Sequence, residues 1–127
     1  MFDRKDITLI KKIAFPAAGA SAATESLDIC SGAGNAELCV GIPALAALVA
    51  SKSATVVISE SDDNSEFANA PWAPEVSVVG ASGGGAEAKE QRIGIPSTAK
   101  RYVKATVSVA ADGGDNTAAE LAFALAL

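Results

Sequence analysis

The feature that most constrains the fold is an alternation of apolar and polar side chains with a period of two residues. It is clearest in the segment Arg101–Val109, where from Val103 onward every second residue is Val or Ala and the residues between them are polar. The β-branched run from Ser53 to Ser59 follows the same pattern. This alternation is typical of strands that bury one face, and it predicts a protein built from sheets.

Turn-forming Gly, Asn, Asp and Pro residues separate the extended segments and give about seven or eight strands. Such short strands at regular spacing predict an all-β fold, a jelly-roll-like antiparallel β-sandwich with an extended N-terminal arm. Residues 1–15 are interpreted as an arm or edge strand, and residues 16–127 as a single domain. Ala17–Ala23 is expected to be a loop. The predicted strands are Ser26–Cys30, Glu37–Ile42, Lys52–Glu60, Glu75–Val79, Glu87–Ile95, Arg101–Val109 and Ala118–Leu127.

Three segments carry more specific expectations. Ala44–Ala50 is rich in Ala and Leu but short, and either a helical turn or a loop is expected there. Asp112–Asn116 is predicted to be a hairpin-like loop. Ala118–Leu127 is apolar on both faces, so as a strand it should be buried on both sides or lie at an interface, and a helix is the alternative.

Half of the 127 residues are apolar, and Ala and Val make up most of that share. Small side chains bury little area, and each Å² of buried apolar area stabilises a fold by only about 25 cal/mol. The composition therefore predicts a thin core that gains stability from contact with a partner, and an oligomer is expected.

The chain has a net charge of −5 and no histidine. The negative charge argues against nucleic acid as a partner, because phosphate binding needs a positive surface. The absence of His excludes sites built on imidazole, and no cofactor, metal or catalytic residue is predicted. Cys30 and Cys39 are expected to be free buried thiols, with a disulfide as the alternative.

The start of the chain lacks the apolar stretch of a signal peptide, and no run of residues reaches the length of a membrane helix. Synthesis in the cytoplasm and no membrane partner are the expectations.

One segment resembles a known family. Pro96, Arg101, Tyr102, Val103 and Lys104 are similar to the P-x-x-x-R-Y-(V/I/L)-(R/K) segment that opens a late strand in the capsid cement (decoration) proteins of tailed bacteriophages. Here four residues rather than three separate Pro96 from Arg101. Two further segments fit this family. Residues 54–67 contain a strand followed by a polar turn and an aromatic residue, and Asn116–Leu127 is an apolar last segment. The resemblance therefore covers roughly residues 50–127.

The resemblance implies a jelly roll that binds the capsid exterior as an oligomer, bridges neighbouring subunits and stabilises the head. The partners would be the major capsid protein and further copies of the chain, in a homodimer or homotrimer. The N-terminal arm would place basic and apolar side chains on a neighbour, and Trp72 is either a core residue or an interface anchor. The candidate interface residues are Phe2, Arg4, Lys5, Ile7, Leu9, Lys11, Lys12, Trp72 and Tyr102.

Two alternatives from other functional classes remain open. The small-residue composition also suits a subunit of a phage tail, fibre or pilus-like polymer. A carbohydrate-binding β-sandwich module that uses Trp72 and Tyr102 is the second alternative.

Overall fold

The computed structural model describes residues 10–29 and 37–126, and this part of the chain contains ten strands and no helix. No helix in these ranges is therefore long and apolar enough to cross a membrane. All pairings between the strands are antiparallel. The strands are β1 (Ile10–Ala14), β2 (Ser21–Ala23), β3 (Leu27–Asp28), β4 (Glu37–Ile42), β5 (Ser53–Ser61), β6 (Ala68–Asn69), β7 (Val76–Val79), β8 (Lys89–Gly94), β9 (Tyr102–Val109) and β10 (Glu120–Ala126).

The strands form two sheets. The four-stranded sheet has the order β1-β10-β4-β8, and the six-stranded sheet has the order β2-β9-β5-β6, with β3 also on β9 and β7 also on β5. Because β2 and β3 share one side of β9, and β6 and β7 share one side of β5, each sheet is four strands wide. The chain crosses from one sheet to the other in the order of a jelly roll, so the predicted antiparallel β-sandwich is confirmed.

The core lies between the two sheets and is fuller than the composition suggests. In the described part of the chain it contains six leucines, five isoleucines and two phenylalanines, beside seven valines and four alanines. The inward residues of β10 include Leu121 and Phe123, which are completely buried. The expectation of a thin Ala and Val core is therefore wrong, because most alanines lie in loops or on the outer faces.

The structure resolves the segments with open alternatives. Ala44–Ala50 is a loop, in which Leu45 and Ala86 exchange two backbone hydrogen bonds. Glu120–Ala126 is a strand and not a helix, since it pairs with β1 on one side and β4 on the other. Asp112–Asn116 is not a hairpin loop, because it joins β9 of one sheet to β10 of the other.

Each sheet has a short edge strand from the first part of the described chain. Residues 10–14 form the edge strand β1, paired with β10. Ser21–Ala23, expected to be part of a loop, is the edge strand β2 and pairs with β9. Its three small residues carry too little hydrophobic contrast to produce a visible alternation.

The loops at one end of the sandwich approach each other closely. A Cβ atom on Gly80 would lie 2.2 Å from the carbonyl oxygen of Val49, and one on Gly114 would lie 2.3 Å from that of Ala47. Gly114 also has φ of 91°, a conformation that residues with a side chain rarely adopt. These glycines let three loops pack together at this end of the fold.

Candidate interaction surfaces

One end of the sandwich is an apolar surface, here called the apolar end. It is formed by Val79 at the end of β7 and by the loops 43–52, 80–87 and 110–119, which are joined by backbone hydrogen bonds from Val49 to Gly113 and from Gly85 to Leu48. Val49 and Val79 are 43% and 57% exposed, and they are two of the three exposed large apolar side chains in the described residues. Ala50 and Gly80 form a β-bridge, which brings the two valines into neighbouring chain segments.

Two shallow depressions flank the 44–46 segment of the apolar end. The first, of about 440 Å³, lies between residues 43–47 and 115–120. The second, of about 660 Å³, is bordered by Val79, residues 84–87 and Ala46. Alanine provides half of the lining residues of the first depression, and alanine and glycine provide most of those of the second. Both depressions are open to solvent, so the apolar end has the relief of a docking surface.

A network of turn hydrogen bonds fixes the rim of the first depression. Asn116 is 3% exposed, and its Nδ2 group donates to the carbonyl oxygens of Gly113 and Gly114. Asp115 Oδ1 accepts hydrogen bonds from the hydroxyl and the backbone N–H of Thr117 at 2.6 and 3.1 Å. These two bonds hold the pKa of the Asp115 carboxyl below its ordinary value. The rim is therefore ordered by local hydrogen bonds.

The opposite end of the sandwich is rich in charged residues. Arg101 forms a bidentate ion pair with Asp28 at 3.0 and 2.8 Å, which joins the start of β9 to β3. The Arg101 guanidinium also lies 5.1 Å from the centre of the Tyr102 ring. The Arg-Tyr pair of the sequence motif thus has a structural role at the start of β9, where Arg101 joins this strand to β3.

A polar turn follows β5 at the same end. Asp63 Oδ1 accepts hydrogen bonds from the backbone N–H groups of Ser65 and Glu66 and from the Ser61 hydroxyl. These bonds, with that from Glu66 contributing most, lower the pKa of Asp63 from 3.8 to about 2. The turn that the sequence predicts is therefore stabilised by an ionised carboxylate.

Trp72 is half-buried, packs against the core and donates its indole N–H to Glu60 Oε1 at 2.9 Å. The same oxygen accepts the backbone N–H of Lys100 at 3.1 Å. Glu60 itself is 7% exposed. Trp72 therefore links the segment after β6 to the interior, and its polar edge is already occupied.

The other candidate interface residues are scattered. Phe2, Arg4, Lys5, Ile7 and Leu9 lie outside the described residues, as does Cys30. Lys11 forms an ion pair with Glu25 at 3.4 Å, and Lys12 is exposed on β1. Tyr102 is half-buried on the outer face of the six-stranded sheet, far along β9 from the apolar end. Cys39 is a half-buried free thiol.

In the sequence, nothing marks Val49 and Val79 as exposed together at this end of the fold. Val49 lies in a segment where helix and loop were both open, and Val79 ends a strand whose alternation assigns it no role. Among the described residues, no group of three or more Cys, Asp or Glu side chains is arranged to hold a metal ion.

No protein-family model matches this sequence, and no curated protein matches it. Similar solved structures include the PBSX exported protein XepA, with a TM-score of 0.52, 17% identity and 95% of this chain covered. They also include the enzymatically active domain of bacteriophage CBA120 tailspike protein 4 (TM-score 0.44, 14% identity, 91% covered) and the CBM22-1 xylan-binding domain of Paenibacillus barcinonensis Xyn10C (TM-score 0.43, 12% identity, 91% covered).

The chain spans 37% of the XepA chain, 14% of the tailspike chain and 92% of the xylan-binding domain. At 17% identity, the similarity to XepA concerns the fold alone.

Proposed function

We propose that this chain is a non-catalytic structural protein of a bacteriophage particle, located on the capsid exterior, where it joins neighbouring major capsid subunits. The observation that carries the proposal is the apolar end, on which Val49 and Val79 expose large side chains among alanines and glycines. Exposed apolar surface of this kind marks contact with another protein.

Two further observations support a phage structural protein. The jelly roll is the fold that the resemblance to capsid cement proteins implies. A phage-related protein, the PBSX exported protein, is among the chains with a similar fold. Several copies around a capsid would combine individually weak contacts through their high effective concentration.

The test uses capsids assembled from the major capsid protein encoded in the same genome. Purified chain is mixed with these capsids and sedimented through sucrose. We expect the wild type to sediment with the capsids, and the Val49→Ser, Val79→Ser double variant to lose at least tenfold in affinity.

The matched control is Val57→Ser, which makes the same chemical change on the outer face of the six-stranded sheet and should bind as the wild type does. A wild-type chain that stays in the supernatant with saturating capsid present would refute the function. Equal loss of binding by the control would remove the apolar end as its site.

The contribution of the N-terminal segment needs a separate deletion. Lys11 and Lys12 belong to β1, so the deletion must end at residue 9 to leave the four-stranded sheet intact. We expect a folded domain with weaker capsid binding, and unchanged capsid occupancy would contradict a role for this segment.

A carbohydrate-binding β-sandwich module is the second candidate. The observation that favours it is a row of four hydroxyls across the outer face of the six-stranded sheet, formed by Ser21, Ser108, Thr55 and Ser77 in paired register.

However, cations lie over the two aromatic rings near this face, Arg101 over Tyr102 and Lys104 over Phe67. Sugars stack on open aromatic faces, so these rings are poorly available.

A glycan array separates the two candidates. Binding by the wild type that is lost in a Thr55→Val, Ser108→Ala variant would favour the carbohydrate module. The tail, fibre or pilus-like polymer makes a different prediction, since light scattering of the purified chain would then detect open-ended filaments.

A further inference from the structure

The centre of the outer face of the four-stranded sheet carries only small side chains. Away from the strand ends, the outward-facing residues of its two central strands are Ala122 and Ala124 of β10 and Cys39 and Gly41 of β4. No side chain in this central area is larger than cysteine. Another surface can therefore approach the backbone of both strands closely.

Opposite charges stand at the two ends of one row across this face. In the pairing register, Lys12 is opposite Ala122, Ala122 is opposite Gly41, and Gly41 is opposite Glu90. Three strand spacings of about 4.8 Å put the two charged residues about 14 Å apart across the sheet. Both are exposed, and neither forms an ion pair with any residue in the ranges 10–29 and 37–126.

We propose that this face binds the same face of a second copy of the chain, across a two-fold axis that runs close to the strand direction. Such an axis exchanges the two edges of the sheet, so β1 of one copy lies over β8 of the other. Lys12 of each copy is then opposite Glu90 of the other, and Ala122 is opposite Gly41. The charge pattern is thus complementary to itself, which selects a second copy as the occupant.

The neighbouring row fits the same arrangement. It consists of Ile10, Ala124, Cys39 and Arg92. The two-fold axis places Ile10, which is 38% exposed, over the aliphatic part of Arg92 in the second copy. Ala124 lies opposite Cys39. This burial supplies an apolar contact beside the ion pairs, and it accounts for the two apolar faces of β10.

The dimer should be weak when free in solution. A face of four strands and five residues has a footprint of roughly 320 Å², given strand spacings of about 4.8 Å and a rise of about 3.4 Å per residue. Standard protein interfaces bury about 800 Å² per partner. Association should therefore depend on concentration and would be favoured where many copies are held on one particle. The inference is independent of what the apolar end binds.

The experiment is sedimentation equilibrium of the full chain, without capsids, from about 10 µM to 1 mM. We expect a monomer–dimer equilibrium for the wild type. Lys12→Glu and Glu90→Lys should each weaken the dimer at least tenfold, because each places like charges opposite one another. The double charge exchange, with both substitutions in one chain, should restore association to within about threefold of the wild type.

The matched control is Glu66→Lys, which makes the same charge change on an exposed residue of the polar turn after β5. All four substituted chains are checked by circular dichroism, and only charges on exposed side chains change. A wild type that remains monomeric at 1 mM, a closed trimer, or a double exchange that stays as weak as the single variants would overturn the inference. None of these outcomes depends on capsid binding, so failure here is distinct from failure of the proposed function.

Discussion

The indole N–H of Trp72 and the carboxylate of Glu60 are joined by a 2.9 Å hydrogen bond at the boundary between the core and the surface. The bond joins the segment after β6 to the C-terminal end of the strand β5, and the same carboxylate oxygen accepts the backbone N–H of Lys100. One side chain therefore holds three segments of the chain together.

Replacing Glu60 with alanine should destabilise the fold by about 2 kcal/mol, because two partly buried N–H groups lose their acceptor. Glu60→Gln keeps an oxygen at the same position and should cost less than about 1 kcal/mol. Urea unfolding followed by Trp72 fluorescence measures both values. Equal losses for the two variants would show that charge, and not the hydrogen-bond acceptor, matters at this position.

The Arg101–Asp28 pair should contribute about 0.5–1 kcal/mol of coupling energy, a small value because both side chains are partly exposed. Its bidentate geometry is the reason to expect a measurable coupling. A double-mutant cycle with Arg101→Ala and Asp28→Ala gives this energy from chemical unfolding.

The pair Arg92–Glu37, with a single 3.4 Å contact, is the matched comparison and should show less coupling. A larger coupling there would contradict the role given to bidentate geometry.

The lowered pKa of Asp63 predicts a specific loss of stability in acid. Its pKa is about 2 in the folded chain, below the ordinary 3.8, so the folded state binds this proton less readily than the unfolded state. The contribution to stability is complete above pH 3.8 and is lost as the pH falls from there towards 2. The stability difference between the wild type and Asp63→Asn should therefore shrink across this window.

Thermal unfolding of both chains between pH 6 and pH 2 checks this expectation. A difference that stays constant over the whole range would mean that the carboxylate of Asp63 is not responsible for the order of the turn.

Gly80→Ala should destabilise the fold by about 2 kcal/mol or more, because the new Cβ would lie 2.2 Å from a backbone oxygen of Val49 and the loop must shift. Gly94→Ala is the control, since a Cβ there meets nothing within 4 Å and the unfolded chain loses freedom. We expect the control to be neutral or slightly stabilising in the same unfolding assay. A stable Gly80→Ala variant would contradict the close loop packing at the apolar end.

The sequence predicts the long strands well and the short ones poorly. In β9, Val103, Ala105, Val107 and Val109 are all buried as the alternation indicates, because eight residues provide four repeats of the period. In β2, three small residues provide no contrast. Pairing between β1 and β10 joins residues about 110 positions apart, and no local pattern specifies such a partner.

The interaction surfaces were harder to predict for a different physical reason. Val49 and Val79 are ordinary valines in the sequence, and only the folding of three loops onto one end exposes them together. The opposite charges of Lys12 and Glu90 become meaningful only through the register of four strands. The sequence leaves Trp72 open as a core residue or an interface anchor, and its partner Glu60 lies in a strand whose pattern gives no sign of a buried acid.

The position of β10 between β1 and β4 has a consequence for biosynthesis. While residues 120–126 are still inside the ribosome, β1 has no neighbour to pair with and the inner edge of β4 is unprotected. The six-stranded sheet can begin to assemble earlier, but one wall of the sandwich must wait for the last part of the described chain. The four-stranded sheet is therefore completed only after residues 120–126 have left the ribosome, and until then the unpaired edges of β1 and β4 are open to aggregation.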